Sequence, residues 1–212
     1  MSPADPRVVV LATHNAKKGV ELQRIFDAAG LPVRVVGLDE LAAYPEPAET
    51  ERDFAGNALI KARAAAQATG QLAVADDSGI AVDLLNGMPG VRSARWAGIG
   101  KGDEANLRLL IDQLADTDYD QRTARFVCAM ALVEPGGGEF VATGEMPGRL
   151  VLEPRGANGF GYDPIFVADE QPPGQPRTNA ELSPEEKDAI SHRAKAAGQV
   201  AARLRALLGG GS

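Results

Sequence analysis

The run VVVLA, Val8 to Ala12, leads through a short polar loop into a helical pattern, and this junction constrains the chain most. The run is short, β-branched and continuously apolar, the signature of a buried strand. In the following THNAKKGVELQRIFDAAGLP, residues Leu22, Ile25, Phe26 and Ala29 fall at i, i+3, i+4 and i+7. That spacing gives a helix with one buried stripe. Thr13 or Asn15 is suited to cap it, and Gly30 and Pro32 to end it. The polar loop therefore sits at a helix N-terminus.

The rest of the chain continues in strands, helices and turns. A short strand is expected at Val33–Val36, and an Ala-rich helix from about Asp53 to Thr69, stopped by Gly70. Leu72–Ala75 and Ile80–Leu84 read as two strands flanking a turn at Asp76, Asp77, Ser78 and Gly79. Asn86–Gly102 reads as a Gly-rich loop, and Asp103–Leu114 as a helix with Leu107, Leu110, Ile111 and Leu114 on one face. Arg125–Val133 and Glu139–Thr143 form a hairpin around EPGGGE, with a further strand at Arg149–Leu152. Gly156–Asp163 is a Gly-rich turn leading into PIFV, and Gln171–Gln175 is loop. In SPEEK, Ser183, Pro184 and Glu186 make a capping box for a helix running toward Leu208, with a frayed GGGS behind it. Ser191 is suited to cap a second helix if the first breaks there.

The chain's 212 residues, 44% of them hydrophobic, suit one large domain or one domain split into two lobes. The net charge of −7 argues against a nucleic-acid backbone as partner. A small polyanion remains open to it if lysines and arginines converge or a metal ion assists. Cys128 is the single cysteine, so no intrachain disulfide forms; within ARFVCAMALV it reads as a small buried hydrophobe. No secretory signal pattern opens the sequence and no apolar stretch approaches about 18 residues. A cytoplasmic protein without a membrane partner is expected. Two histidines and one cysteine make a His/Cys zinc site improbable.

Five polar clusters carry chemistry. Thr13, Asn15 and Lys18 stand where free backbone N–H groups and a helix dipole favour phosphate, although capping alone also explains them. Asp53, Asn57 and Lys61 recur every four residues and share one helix face, either solvated or functional. Asp76 and Asp77 are more acid than a turn needs; one can project as a Mg²⁺ ligand or proton acceptor. In GANGFGYDP, Phe160 and Tyr162 lie among glycines, free to stack on a flat ligand or to pack. In EEKDAISHR, a break near Ser191 would bring His192 and Arg193 to the first turn of a new helix.

Taken in order, the stretches LATHNAKK, ERDFAGNALIKA, ADDSGIAVDLLNGMPGVRSARWAG, GFGYDPIF and EEKDAISHR resemble the inosine triphosphate pyrophosphatase family, from Val8 to about Arg193. The resemblance implies an α/β fold: an elongated mixed sheet flanked by helices, two lobes and a substrate cleft between them, in one domain spanning 1–208. It implies a homodimer. It also implies Mg²⁺-dependent hydrolysis of noncanonical purine nucleoside triphosphates (ITP, dITP, XTP) to the monophosphate and pyrophosphate.

By the same resemblance, Thr13, Asn15 and Lys18 match the first phosphate-binding motif, with substrate contacts extending over His14, Ala16 and Lys17. Lys61 matches a phosphate-contacting lysine. Glu49 and Asp77 match metal-binding acids, and Asp77 also the proton acceptor. Ser78 matches a substrate contact, Phe160, Gly161, Tyr162 and Asp163 the base-binding turn, and Lys187, His192 and Arg193 the closing contacts. This chain has Glu51 and Asp53 where the family usually has Gly and often Thr, so either Glu49 or Glu51 could hold the metal; His14 replaces a smaller residue. A Maf-like pyrophosphatase acting on pyrimidines, a non-catalytic nucleotide sensor and an acidic scaffold are the rival readings.

Overall fold

The computed structural model describes residues 7–171 and 173–209; of the expected frayed segment 209–212, Gly209 instead ends a helix and 210–212 lie outside the described residues. Among the described residues six strands form one mixed sheet: β1 (Arg7–Leu11), β2 (Val33–Gly37), β3 (Leu72–Val82), β4 (Thr123–Val133), β5 (Glu139–Leu150) and β6 (Phe166–Ala168). Their order is β2-β1-β3-β4-β5-β6. β1 runs parallel to both β2 and β3, and β5 antiparallel to β6. Five α-helices accompany them: α1 (Ala16–Ala28), α2 (Phe54–Thr69), α3 (Gly102–Gln113), α4 (Pro184–Ile190) and α5 (His192–Gly209).

The chain divides into two compact units, and the boundary falls inside β3, β4 and β5. Of the described residues, the first comprises 7–77, 129–143 and 195–209. Its core sets Ala58, Ala62, Ala65 and Ala66 of α2 against Val10, Ala73, Ala75, Ala129 and Ala131 of the strands. Small residues on both sides let helix and sheet approach closely, which is why an Ala-rich helix is used here. On α1 the buried positions are Leu22 and Phe26. Gln23 of the same helix accepts from Val35 N–H at 2.7 Å and donates to the Val33 carbonyl at 3.1 Å, covering the edge strand β2.

The second unit comprises residues 78–128 and 144–194. Leu107, Leu110 and Leu114, on the expected face of α3, join Ile80, Val82, Phe126, Met146, Leu150 and Phe166 in its core, with Ile111 partly buried beside them. Ser183 caps α4 through Glu186 N–H, and Glu186 reciprocates, as the sequence suggests. The helix expected to run toward Leu208 is two helices, the alternative left open in the sequence: Ser191 is extended, and its hydroxyl accepts from Ala194 N–H at 3.0 Å in the first turn of α5.

Three expectations are corrected. Leu72–Ala75 and Ile80–Leu84 are not two strands around a turn; β3 is continuous through Asp76, Asp77, Ser78 and Gly79, and a 3-10 turn at Asp83–Leu85 follows it. The expected strand at Arg149–Leu152 is instead the end of a long β5. The Gly-rich loop contains a 3-10 segment at Gly90–Arg95.

Candidate active site

The continuous course of β3 decides how the paired acids are used. Successive side chains of a strand face opposite ways, so Asp76 and Asp77 meet different helices. Asp76 is buried and accepts from the Lys18 ammonium of α1 at 2.9 and 3.0 Å. Asp77 accepts from Lys61 of α2 at 3.3 Å and from the Asn57 side-chain amide at 3.3 Å. Lys61 also reaches Glu49 at 2.9 Å. Asn57 and Lys61 thus form the part of the every-fourth-residue face that meets Asp77, while Asp53 caps α2 by accepting from Gly56 N–H at 2.7 Å.

Asn57 is a member of this cluster to which the resemblance assigned no role. It is fully buried, and its side-chain oxygen accepts from Glu51 N–H at 3.0 Å. The i+4 spacing with Lys61 was the signal for it. The same bond separates Glu49 from Glu51: the Glu49 carboxylate stands in the cluster, whereas Glu51 joins it through its backbone.

The charge balance of the cluster is negative. Burial pushes the Asp77 carboxyl up, and the Glu49 charge adds to that against the pull of Lys61. Burial works to lower Lys61, yet Asp77 and Glu49 outweigh it and hold the ammonium above its ordinary range. Two carboxylates facing one ammonium leave a place for a further positive charge. Among the described residues, no three or more His, Cys, Asp or Glu side chains converge as a ready-made metal site. Two carboxylate donors nonetheless fit Mg²⁺, which is commonly held by one or two carboxylates together with waters and substrate phosphates.

The loop before α1 completes this side. Thr13 accepts from Asn15 N–H at 3.2 Å, and Asn15 caps the helix by accepting from Lys17 N–H at 3.1 Å. Ala16 and Lys17 are exposed in the first turn. His14 lies between two acids, 2.5 Å from Asp39 and 2.7 Å from Glu46, and those hydrogen bonds raise its pKa. A cavity of about 570 Å³ adjoins the loop, lined by Thr13, His14, Asn15, Gly37 and Asp39 among others.

The second unit holds the remaining predicted residues. Phe160 is 65% exposed, an unusual position for an aromatic ring, and the Lys187 ammonium stands 5.4 Å from its centroid. Asp163 is buried and organises the turn: it accepts from Phe160 N–H at 2.9 Å, Lys187 at 2.6 Å and Asn179 at 3.2 Å. Gly161 N–H donates to Asp103 at 3.2 Å. Tyr162 faces the core, donating to the Ser93 carbonyl at 2.8 Å, and burial raises its pKa far above the usual phenol range. His192 is buried and stacks on Phe126 at 5.1 Å. Arg193 donates to the Ser78 hydroxyl in a long contact of 3.5 Å. Asp163 and Tyr162 are thereby placed as organisers of the turn, and Phe160, Lys187 and Arg193 as its more open groups.

The first unit gathers acids and lysines, and the second an exposed ring with cations nearby. Known proteins share this arrangement's sequence and fold. A dITP/XTP pyrophosphatase of Cutibacterium acnes is 57% identical over 188 residues, 89% of this chain and 91% of that protein. Another, of Frankia alni, is 57% identical over 205 residues, covering 94% of this chain and 98% of the relative. The structure of the Staphylococcus aureus Ham1 protein superposes with a TM-score of 0.84 at 38% identity, covering 95% of this chain and 100% of the other. A dITP/XTP pyrophosphatase structure from Mycobacterium abscessus gives 0.76 at 49% identity, covering 93% and 98%. The resemblance noted in the sequence is borne out. The sequence model of the Ham1 family matches residues 9–203, and with these relatives it establishes that the chain belongs to that family.

Proposed function

We propose that this chain hydrolyses noncanonical purine nucleoside triphosphates, ITP, dITP and XTP, to the nucleoside monophosphate and pyrophosphate. The observation that carries the reading is the cluster of Lys61, Glu49 and Asp77, two carboxylates on one ammonium, with its excess of negative charge. It is joined by the dITP/XTP pyrophosphatase names of the relatives. A triphosphate carries about four negative charges, so electrostatics dominate its binding and its transition state. Lys18 and Lys61 turn from their carboxylate partners toward phosphate oxygens, with Thr13, Asn15 and the α1 N-terminus adding dipoles.

Glu49 and Asp77 would hold Mg²⁺, which when bound would supply Lewis-acid neutralisation of phosphoryl charge. Asp77 accepts a proton from water as the water oxygen bonds to the α-phosphorus and the bond to the pyrophosphate oxygen breaks. The side-chain amide of buried Asn57, donating to Asp77 at 3.3 Å, orients the carboxylate for this. Phe160 stacks on the purine, and Arg193 or His192 donates to its 6-oxo group. Adenine presents an amine there, and a site built around such a bond rejects the wrong partner by about 10⁴–10⁵. The protein works as a cytoplasmic homodimer, the chain through Leu208 acting as one catalytic domain.

Pyrophosphate release from ITP, dITP, XTP, GTP and ATP, with Mg²⁺ and with a chelator, tests the reading. Mg²⁺-dependent release from the first three, with little from GTP and ATP, is expected. No release from any of them would overturn it.

A further inference from the structure

Ser93 belongs to the stretch MPGVRSARWAG, to which no function has yet been attached. It is buried in the 3-10 segment Gly90–Arg95 and bonds in two directions. Its hydroxyl accepts from Ile80 N–H of β3 at 2.9 Å and donates to the Gly90 carbonyl at 2.6 Å. Its carbonyl accepts from the Tyr162 hydroxyl at 2.8 Å. β3 leans directly on this segment: a Cβ on Gly79 would lie 2.4 Å from the Ser93 hydroxyl and 2.6 Å from the Gly90 carbonyl. The segment is itself fixed to α3, where buried Asn106 accepts from Ala97 N–H at 2.7 Å and donates to the Ala94 carbonyl at 3.1 Å.

One residue therefore joins two pieces of the unit's chemistry. On one side is the β3 segment carrying Ser78, the partner of Arg193. On the other is the turn carrying Phe160 and Asp163, with Tyr162 between them. We infer that Ser93 is a positioning residue for base recognition, holding the Ser78–Arg193 pair in register with the Phe160–Asp163 turn. Displacements of about 1 Å in such a frame cost about 10²-fold in rate. A purine that stacks on Phe160 and is read at its edge by Arg193 needs both pieces in fixed relation. The proposal rests on the pyrophosphatase reading above.

Ser93→Ala removes the bond to Ile80, and Tyr162→Phe removes the bond to the Ser93 carbonyl while keeping the buried ring. The readout is the ratio of kcat/KM for ITP to that for ATP, whose base lacks the 6-oxo group that Arg193 reads; loss of folded enzyme alone does not alter it. Each variant is expected to lower that ratio by about tenfold, and the double variant by little more than either, as members of one linkage behave. A ratio within about twofold of the parent chain in Tyr162→Phe, whatever the change in total activity, overturns the proposal. That variant keeps the test decisive if Ser93→Ala fails to fold. A parent chain that binds but does not hydrolyse contradicts the pyrophosphatase reading instead, and the ratio of Kd values for ITP and ATP then decides the role of Ser93.

Discussion

Asp76 and Asp77 are adjacent in the chain and opposite in surroundings. Asp76 is sealed against Lys18, while Asp77 shares Lys61 with Glu49 in a pocket of surplus negative charge. That surplus separates the acid's chemistry from its contribution to stability. Asp77→Asn is expected to lower kcat by about 10²–10⁴ while leaving Tm unchanged or higher, because the cluster sheds a charge it holds at a cost. Steady-state kinetics and a thermal melt check both halves; near-normal turnover contradicts the role of Asp77. His14 makes a second prediction. A neutral imidazole can donate from one nitrogen only, so serving both Asp39 and Glu46 requires the imidazolium. The folded pKa is raised, so the stabilisation is fully present below the ordinary value of 6.5 and fades as pH rises through the higher folded value. An NMR titration should place His14 above 6.5, and His14→Gln should flatten the pH dependence of stability in that window. A pKa at or below the ordinary value contradicts the bridge.

Among the elements, β3 departs furthest from its local sequence. Asp-Asp-Ser-Gly is turn chemistry, and nothing within the segment itself favours an extended backbone there. What holds it extended is distant in sequence: Lys18, Lys61 and Asn57 take the carboxylates, and Ser93 takes the Ile80 N–H. Tertiary partners override local preference at a functional strand. The helices were legible because their signals are local: the α1 stripe, the Gly70 stop, the Ser183 capping box and the break at Ser191 all lie within a few residues of what they control. Burial of Tyr162 and Asp163 was not legible, since GFGYD gives no sign of Ser93, Asn179 or Lys187 as partners. Gly79 tests the element directly. Its replacement by Ala forces a methyl into the Ser93 hydroxyl and the Gly90 carbonyl, an overpacking worth about 1–3 kcal/mol. Tm should fall by about 2–4 °C for each of those kcal/mol. An unchanged melt would mean that β3 does not rest on the Ser93 segment.

At the scale of the whole molecule, each unit carries a different chemistry. Residues up to Asp77, with α2, supply acids and lysines suited to a metal-bound polyanion; residues from Ser78 onward supply the exposed ring, Lys187 and Arg193, suited to a base. A bound cation together with Lys18 and Lys61 would let a chain of net charge −7 take the proposed triphosphate. The single peptide bond between Asp77 and Ser78 links the proposed proton acceptor to the proposed base-side contacts. The central claim is that water attacks the α-phosphorus under Asp77. Single-turnover hydrolysis of ITP in ¹⁸O-labelled water, followed by mass spectrometry of the products, tests it most directly. The account predicts the label in IMP and unlabelled pyrophosphate. Label in pyrophosphate, or release of orthophosphate with IDP, would contradict it.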